Sequence, residues 1–196
     1  MPRKKSEVQR ERIAQAATDI FIEKGYKGTS LQDIALSVGI TKAGIYHYFK
    51  TKEEILYHIL ATHDRSNIEA FEKIRHQIEH SDMDDTTILK IIIRTYAKLS
   101  AEKQNINLLG LRERDQLTGE RQEDYRKNHQ GILSRLKTDI GAIQNIKKSL
   151  DLNTIIFMVI SMSAWFGYWL KEDGRLTLEE AIEQSIDIIC HGVIEQ

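Results

Sequence analysis

Proline is almost missing from this chain: the only one is Pro2. Nothing after it interrupts a helix by removing a backbone donor. Cysteine is as scarce. Cys190 stands alone, so no disulfide can form within one chain. Long hydrophobic runs are missing too. The most apolar stretch, Thr154–Leu170, is 17 residues and contains two Ser, a Thr and a Gly. A membrane span needs roughly 20 apolar residues, so this stretch reads as a buried helix. The amino terminus, MPRKKSEVQRER, has charge but no apolar run behind it, which is not the pattern of a signal peptide. The expected compartment is the cytoplasm. No stretch alternates with period two, and no P-loop, G-x-S-x-G or dinucleotide-binding glycine pattern occurs. The expectation is an all-α protein that is not an enzyme and holds no cofactor.

What remains is ample for a core. Of 196 residues, 41% are hydrophobic and 29% charged, which argues against disorder. The net charge of −1 hides an asymmetry. Residues 1–56 carry ten Lys and Arg against seven Asp and Glu, a charge of +3, and residues 57–196 carry −4. A basic front end before an acidic remainder fits a polyanion that only the front end meets.

Helical spacing recurs throughout. A first helix is expected near Glu7–Lys24, with Ile13, Ala17, Ile20 and Phe21 as its stripe and Gly25 closing it. Ser30 to Asp33 fits a capping box for a second helix with Leu31, Ile34, Ala35 and Val38 on one face. Gly39 ends it, Thr41 caps a third, and Ile40 with Ile45 forms a staple. Two short helices joined by a tight glycine turn give a helix-turn-helix layout. Thr51 to Glu54 is a second capping box, opening a helix to about His80. Further helices are expected near Thr86–Lys103, Asn105–Gln116, Glu120–Gln144, Leu152–Lys171 and Leu178–Ile194. The last is opened by a box from Thr177 to Glu180.

With Thr41–Phe49 on a helix, Ile45 and Phe49 share the inner face. Lys42, Ala43, Tyr46 and His47 then face outward, and Tyr48 lies between. Small residues in the first turn let backbone approach a partner, and free N–H groups at a helix start favour phosphate. A recognition helix presents its first residues to base edges in the major groove, while tyrosines and lysines hold phosphates.

These residues carry a family resemblance. "TSLQDIALSVGITKAGIYHYFKTKEEIL" resembles the DNA-binding segment of the tetracycline-repressor family, with TS-x-x-x-IA followed by VGI-T-x-x-x-IY-x-YF. The resemblance covers nearly all of residues 7–60. It implies a three-helix DNA-binding domain, residues 1–52, before a larger helical ligand-binding and dimerisation domain, residues 53–196. By position, Thr29, Thr41, Tyr46, Tyr48 and Lys52 resemble phosphate contacts. Lys42, Ala43, Gly44 and His47 resemble base-edge or close-backbone positions, and Arg3, Lys4 and Lys5 a basic arm. The implied partners are double-stranded operator DNA, a second copy of the chain through the last two helices, and a small-molecule effector, with no membrane.

"WFGYWLKEDGRLTLEEA", Trp165–Ala181, and "LRERDQLTGERQEDYRKNHQGILSRL" upstream resemble a subset of regulators that respond to acyl-CoA thioesters. Arg112, Arg114, Arg121 and Arg126 supply guanidinium groups suited to phosphates, and Trp165 and Trp169, one turn apart, are spaced either to line a cavity or to pack in a core or dimer interface. Arg on helices also pair with neighbouring Glu, and Glu113, Glu120 and Glu123 are at hand. Two other readings stand beside this one. A partner-binding regulator can use the same scaffold without an operator. "HQIEH" matches H-x-x-E-H, in which His76 and His80 would ligate zinc and Glu79 act as base, but no third ligand is marked.

Overall fold

The computed structural model describes residues 2–170 and 173–194, with the side chains of residues 2–4 and 167–169 outside that description. Arg3, Lys4 and Trp169, named above for their side chains, therefore lie outside it. Among the described residues there are nine α-helices and no strand beyond one isolated bridge between Ile146 and Ile194. No helix among them is long and apolar enough to cross a membrane.

The order is α1 (Pro2–Gly28), α2 (Leu31–Ser37), α3 (Lys42–Ile45), α4 (Lys52–Glu79), α5 (Asp85–Glu102), α6 (Gln104–Glu113), α7 (Gly119–Gly141), α8 (Leu152–Trp169) and α9 (Leu178–Val193), with a 3-10 turn between α6 and α7. α1 breaks at Gly25, whose φ of 75° is the left-handed conformation expected of a closing glycine.

The chain forms two compact units. The first is Met1–Arg65 with Asn105–His129. Ile13, Ala17 and Phe21 of α1, Ile34 of α2, Ile45 and Phe49 pack there with Ile55 and Leu56, and Leu109 and Leu117 close the cluster. The first turns of α4, α6 and the start of α7 share this core with the helix-turn-helix.

The second unit is Ser66–Gln104 with Gln130–Gln196. Asp84 caps α5 by accepting the Thr87 N–H at 3.0 Å. Leu89, Ile92, Ile93 and Ala97 then form one stripe buried on α8 and α9. Burying each large side chain stabilises by roughly 1.5–3 kcal/mol. Arg94 locks α5 to α9 through a fork onto Glu183, both bonds 2.7 Å. α9 opens with the expected box: the Thr177 hydroxyl accepts the Glu180 N–H, and the Glu180 carboxylate accepts the Thr177 N–H.

Candidate nucleic-acid interface

The helix-turn-helix is built from local bonds. The Ser30 hydroxyl accepts the Asp33 N–H at 3.2 Å, and the Asp33 carboxylate accepts the Ser30 N–H at 2.8 Å. The Ser30 hydroxyl, donating to that carboxylate, holds it below the usual carboxyl range. Gly39, at φ 72°, turns the chain, and the Ile40 N–H donates to the Ala35 carbonyl at 3.0 Å. Thr41 then caps α3 by accepting the Gly44 N–H at 3.0 Å.

The third helix is shorter than the spacing predicts. Regular helix covers Lys42–Ile45, and looser turns follow, with the Tyr48 and Phe49 N–H groups both donating to the Ile45 carbonyl. Four residues carry little macrodipole, so charge directed at phosphates must come from side chains. Thr41, Lys42, Ala43, Tyr46 and His47 are exposed, Ile45 and Phe49 are buried, and Gly44 and Tyr48 are half-buried. A Cβ on Gly44 would sit in ordinary contact with the Ile40 Cβ, at 3.5 Å, so packing inside the motif does not itself demand glycine there.

Thr29 and Lys52 have other occupations. Thr29 is buried, and its hydroxyl donates to the Gly25 carbonyl at 2.8 Å. Lys52 donates to the carbonyls of Tyr26 and Thr29, each at 2.6 Å, and its ammonium lies 4.2 Å from the Tyr26 ring centroid. Partial burial pulls its pKa down, against the Glu113 charge. Both side chains finish α1 and its exit turn rather than reach outward.

Sequence reasoning missed Arg10. Its guanidinium donates to the Tyr48 carbonyl at 2.8 Å, lies 4.2 Å over the Phe49 ring and meets Glu54 at 3.5 Å. It holds the end of the recognition segment from 38 residues away, and no local pattern announces such a contact. Thr51 accepts the Glu54 N–H as a cap should, but the Glu54 carboxylate takes the Lys50 N–H and Arg10 instead of closing the box. The exposed set makes a specific expectation. Lys42→Ala weakens operator binding and flattens its salt dependence by about one unit of slope, whereas Tyr46→Phe weakens binding with the slope unchanged. Anisotropy titrations at several salt concentrations measure both, and wild-type curves from both variants would refute the assignment.

Residues 13–59 match the family described as "Bacterial regulatory proteins, tetR family". Residues 85–193 match the "Tetracyclin repressor-like, C-terminal domain". The chain belongs to the tetracycline-repressor family. It is 23% identical over 195 residues to the HTH-type transcriptional repressor KstR2 of Rhodococcus jostii (strain RHA1), covering 94% of this chain and 91% of that protein. The fold matches the regulator PfmR of Thermus thermophilus at TM-score 0.77 and 28% identity, over 92% of this chain and 97% of the other. It also matches AibR, crystallised with isovaleryl coenzyme A and operator DNA, at TM-score 0.77 and 24% identity, over 91% and 96% of the two chains.

Regulators of this family bind operator DNA as dimers. In the second unit, Phe157, Met158 and Trp165 of α8 are 65%, 60% and 60% exposed, and Ile188 of α9 is 74% exposed. The spacing of 157, 158 and 165 puts all three on one helix face. An outward apolar face of that kind on a helix otherwise packed in a core marks a contact surface.

The residues named for an effector fall in different units. Arg112 and Arg126 lie in the first unit and Trp165 in the second. Arg126 is exposed and forked onto Glu123 by bonds of 2.8–3.0 Å, the local pairing that the neighbouring acids allow. Arg112 is exposed at the end of α6. The His76 and His80 rings stack at 4.3 Å, and His80 donates to the His76 carbonyl. Among the described residues no group of three or more His, Cys, Asp or Glu is placed to hold a metal, so the set that a hydrolytic zinc requires is not assembled around them.

One polar group inside the first unit carried no sequence signal. Asp64 is 4% exposed, and its Oδ2 is buried without a hydrogen-bond partner. The His129 ring stands 4.0 Å away. Burial first, and the Asp64 charge second, push the Tyr125 hydroxyl up to about 12. An unsatisfied buried carboxylate costs roughly 1–3 kcal/mol or more. Asp64→Asn, which keeps the shape and removes the charge, should therefore raise Tm by about 2–4 °C. A lower Tm in a thermal melt would mean that the carboxylate is satisfied.

Proposed function

We propose that this tetracycline-repressor-family regulator is a homodimeric repressor, released from a pseudo-palindromic operator by an acyl-CoA thioester. The observation that carries the DNA half is the exposure of Lys42, Tyr46 and His47 on a capped α3 whose opposite face, Ile45 and Phe49, is buried. Lys42 and Tyr46 take phosphates, and Lys42, Ala43 and His47 approach base edges. Thr41 opens that surface. Tyr48 borders it. Lys52 and Thr29 act from beneath by holding α1 against α4.

The α8–α9 face supports a homodimer. A pseudo-palindrome needs two recognition helices about 34–36 Å apart, and a two-fold pair of apolar faces supplies them from one sequence. The thioester is supported by the motif from Trp165 to Ala181 and by AibR, which was crystallised with isovaleryl coenzyme A and operator DNA. Arg112 is the guanidinium most available for its phosphates. The mechanism is a population shift in which thioester and operator favour different arrangements of the dimer, so each weakens the other.

The test is anisotropy of labelled upstream DNA at fixed salt, with and without isovaleryl coenzyme A and longer acyl thioesters. Tight, specific binding lost on adding one thioester bears out the whole proposal. Binding that no thioester changes keeps the repressor and removes the effector class. No specific binding at any salt overturns the operator assignment and favours a partner-binding regulator.

A further inference from the structure

In the second unit, the last turns of α4, the first turns of α5 and the end of α7 enclose a cavity of about 240 Å³. Its floor is aliphatic, made by the buried Ile92 and Ile143 with the half-buried Ile78 and Ile88, and the exposed Ala142 lies at its edge. Its mouth is charged. One cation, Arg75, stands among three carboxylates, Glu79, Asp85 and Asp139.

The protein's own pairing leaves that acid surplus in place. Arg75 donates from Nε and Nη2 to a single oxygen of Asp139, Oδ1, at 3.0 and 2.8 Å. Asp85 spends one oxygen, Oδ2, on the backbone N–H groups of Gln144 and Asn145, both at 2.9 Å. Glu79 is exposed. The carboxyl-terminal ends of α4 and α7 add partial negative charge. The amino terminus of α5 offsets little, because Asp84 already caps it. Burial, with Glu72 and Glu79 near, holds the Asp139 carboxyl above its usual range despite Arg75.

A negative mouth over an aliphatic floor attracts a small amphipathic cation and repels an anion. We propose that this cavity is a ligand site for a short primary alkylammonium ion, its tail on the isoleucine floor and its ammonium between Glu79 and the second oxygen of Asp139. An ammonium offers three donors, which suits two carboxylates that line one cavity from different helices. The assignment does not depend on the thioester. That effector is a polyanion, and this mouth repels polyanions, so the two inputs are chemically separate.

Isothermal titration of the full-length protein at fixed ionic strength decides it. The probes are n-pentylammonium chloride, n-pentanol and sodium pentanoate. The expected result is saturable binding of one pentylammonium per chain, weaker binding of the alcohol and none of the carboxylate. Glu79→Gln, at an exposed position, should weaken pentylammonium binding about threefold to tenfold by removing one charge-assisted contact. Ile88→Phe should abolish it by filling the floor while leaving the melting temperature close to wild type. The proposal is overturned by the absence of saturable pentylammonium binding up to about 10 mM. Equal binding of pentanoate, or unchanged affinity in both variants, overturns it as well.

Discussion

Met158→Arg is expected to convert the protein to a monomer and to weaken operator binding by about a thousandfold or more. The position sits inside the outward face of α8, beside Phe157 and one helix stripe from Trp165, and is itself 60% exposed. In a two-fold interface each of these side chains is buried twice, at roughly 1.5–3 kcal/mol apiece. An arginine at Met158 removes that gain and faces its own copy across the two-fold axis, so two like charges lose water together. Operator affinity follows the dimer because a lone recognition segment keeps half the contacts and forfeits the second half-site. The core of the second unit is untouched, since Met158 is not part of the buried cluster that holds Leu89, Ile93, Val159 and Ile186. The monomer should therefore retain its helicity by circular dichroism. Sedimentation and anisotropy on the same sample read both effects. A variant that remains dimeric and still binds operator tightly would place the interface elsewhere.

Local bonds were legible in the sequence, and bonds that cross the fold were not. The boxes at Ser30 and Thr177 close within three residues, so spacing alone announces them. The left-handed glycines, Gly25 and Gly39, were legible for the same reason: each answers a backbone need at its own position. The box at Thr51 matched equally well, but its carboxylate found the Lys50 N–H and Arg10 closer to hand. Competition from a distant helix has no local signature. The outward set Lys42, Ala43, Tyr46 and His47 could be read because Ile45 and Phe49 claim the inner face of a single turn. Arg10 on Tyr48, Glu113 on the Tyr26 N–H and Glu53 on Thr118 lie 38, 87 and 65 residues from their partners and needed the structure.

Those long contacts also explain why the first unit reaches past the three-helix domain. Glu113 accepts the Tyr26 N–H at 3.1 Å at the break in α1. Glu53 accepts the Thr118 N–H and hydroxyl and meets Arg121 at 3.1 Å. Burial alone would raise the Glu53 carboxyl, yet the Thr118 bonds and Arg121 hold it below its usual range. A depressed carboxyl stabilises the fold above its unfolded pKa, and that contribution fades as pH falls through the folded value. The connection between α6 and α7 is thus fastened to the two helices that carry the DNA-facing segment, at α1 and at the start of α4.

Lys52 separates a residue that touches DNA from one that positions its neighbours. Its ammonium gives two donors to the Tyr26 and Thr29 carbonyls and lies over the Tyr26 ring. These carbonyls end α1, so Lys52 ties α1 to the first turn of α4. Lys52→Met keeps the aliphatic stem and removes both charged bonds, leaving the Tyr26 carbonyl with only the Thr29 N–H at 3.2 Å and the Thr29 carbonyl short of a partner. At about 1.5–3 kcal/mol per bond to a charged group, discounted because the site is partly solvated, the loss is about 2–4 kcal/mol, or on the order of 10 °C in Tm. Operator affinity should fall as the frame loosens, but the slope of log affinity against log salt should stay at the wild-type value, because no phosphate contact is lost. A phosphate-binding lysine behaves in the opposite way: Tm holds, and the slope drops by about one for each contact removed. Thermal melts beside salt-dependent anisotropy therefore distinguish the two roles in one variant. An unchanged Tm with a flattened slope would return Lys52 to the DNA surface.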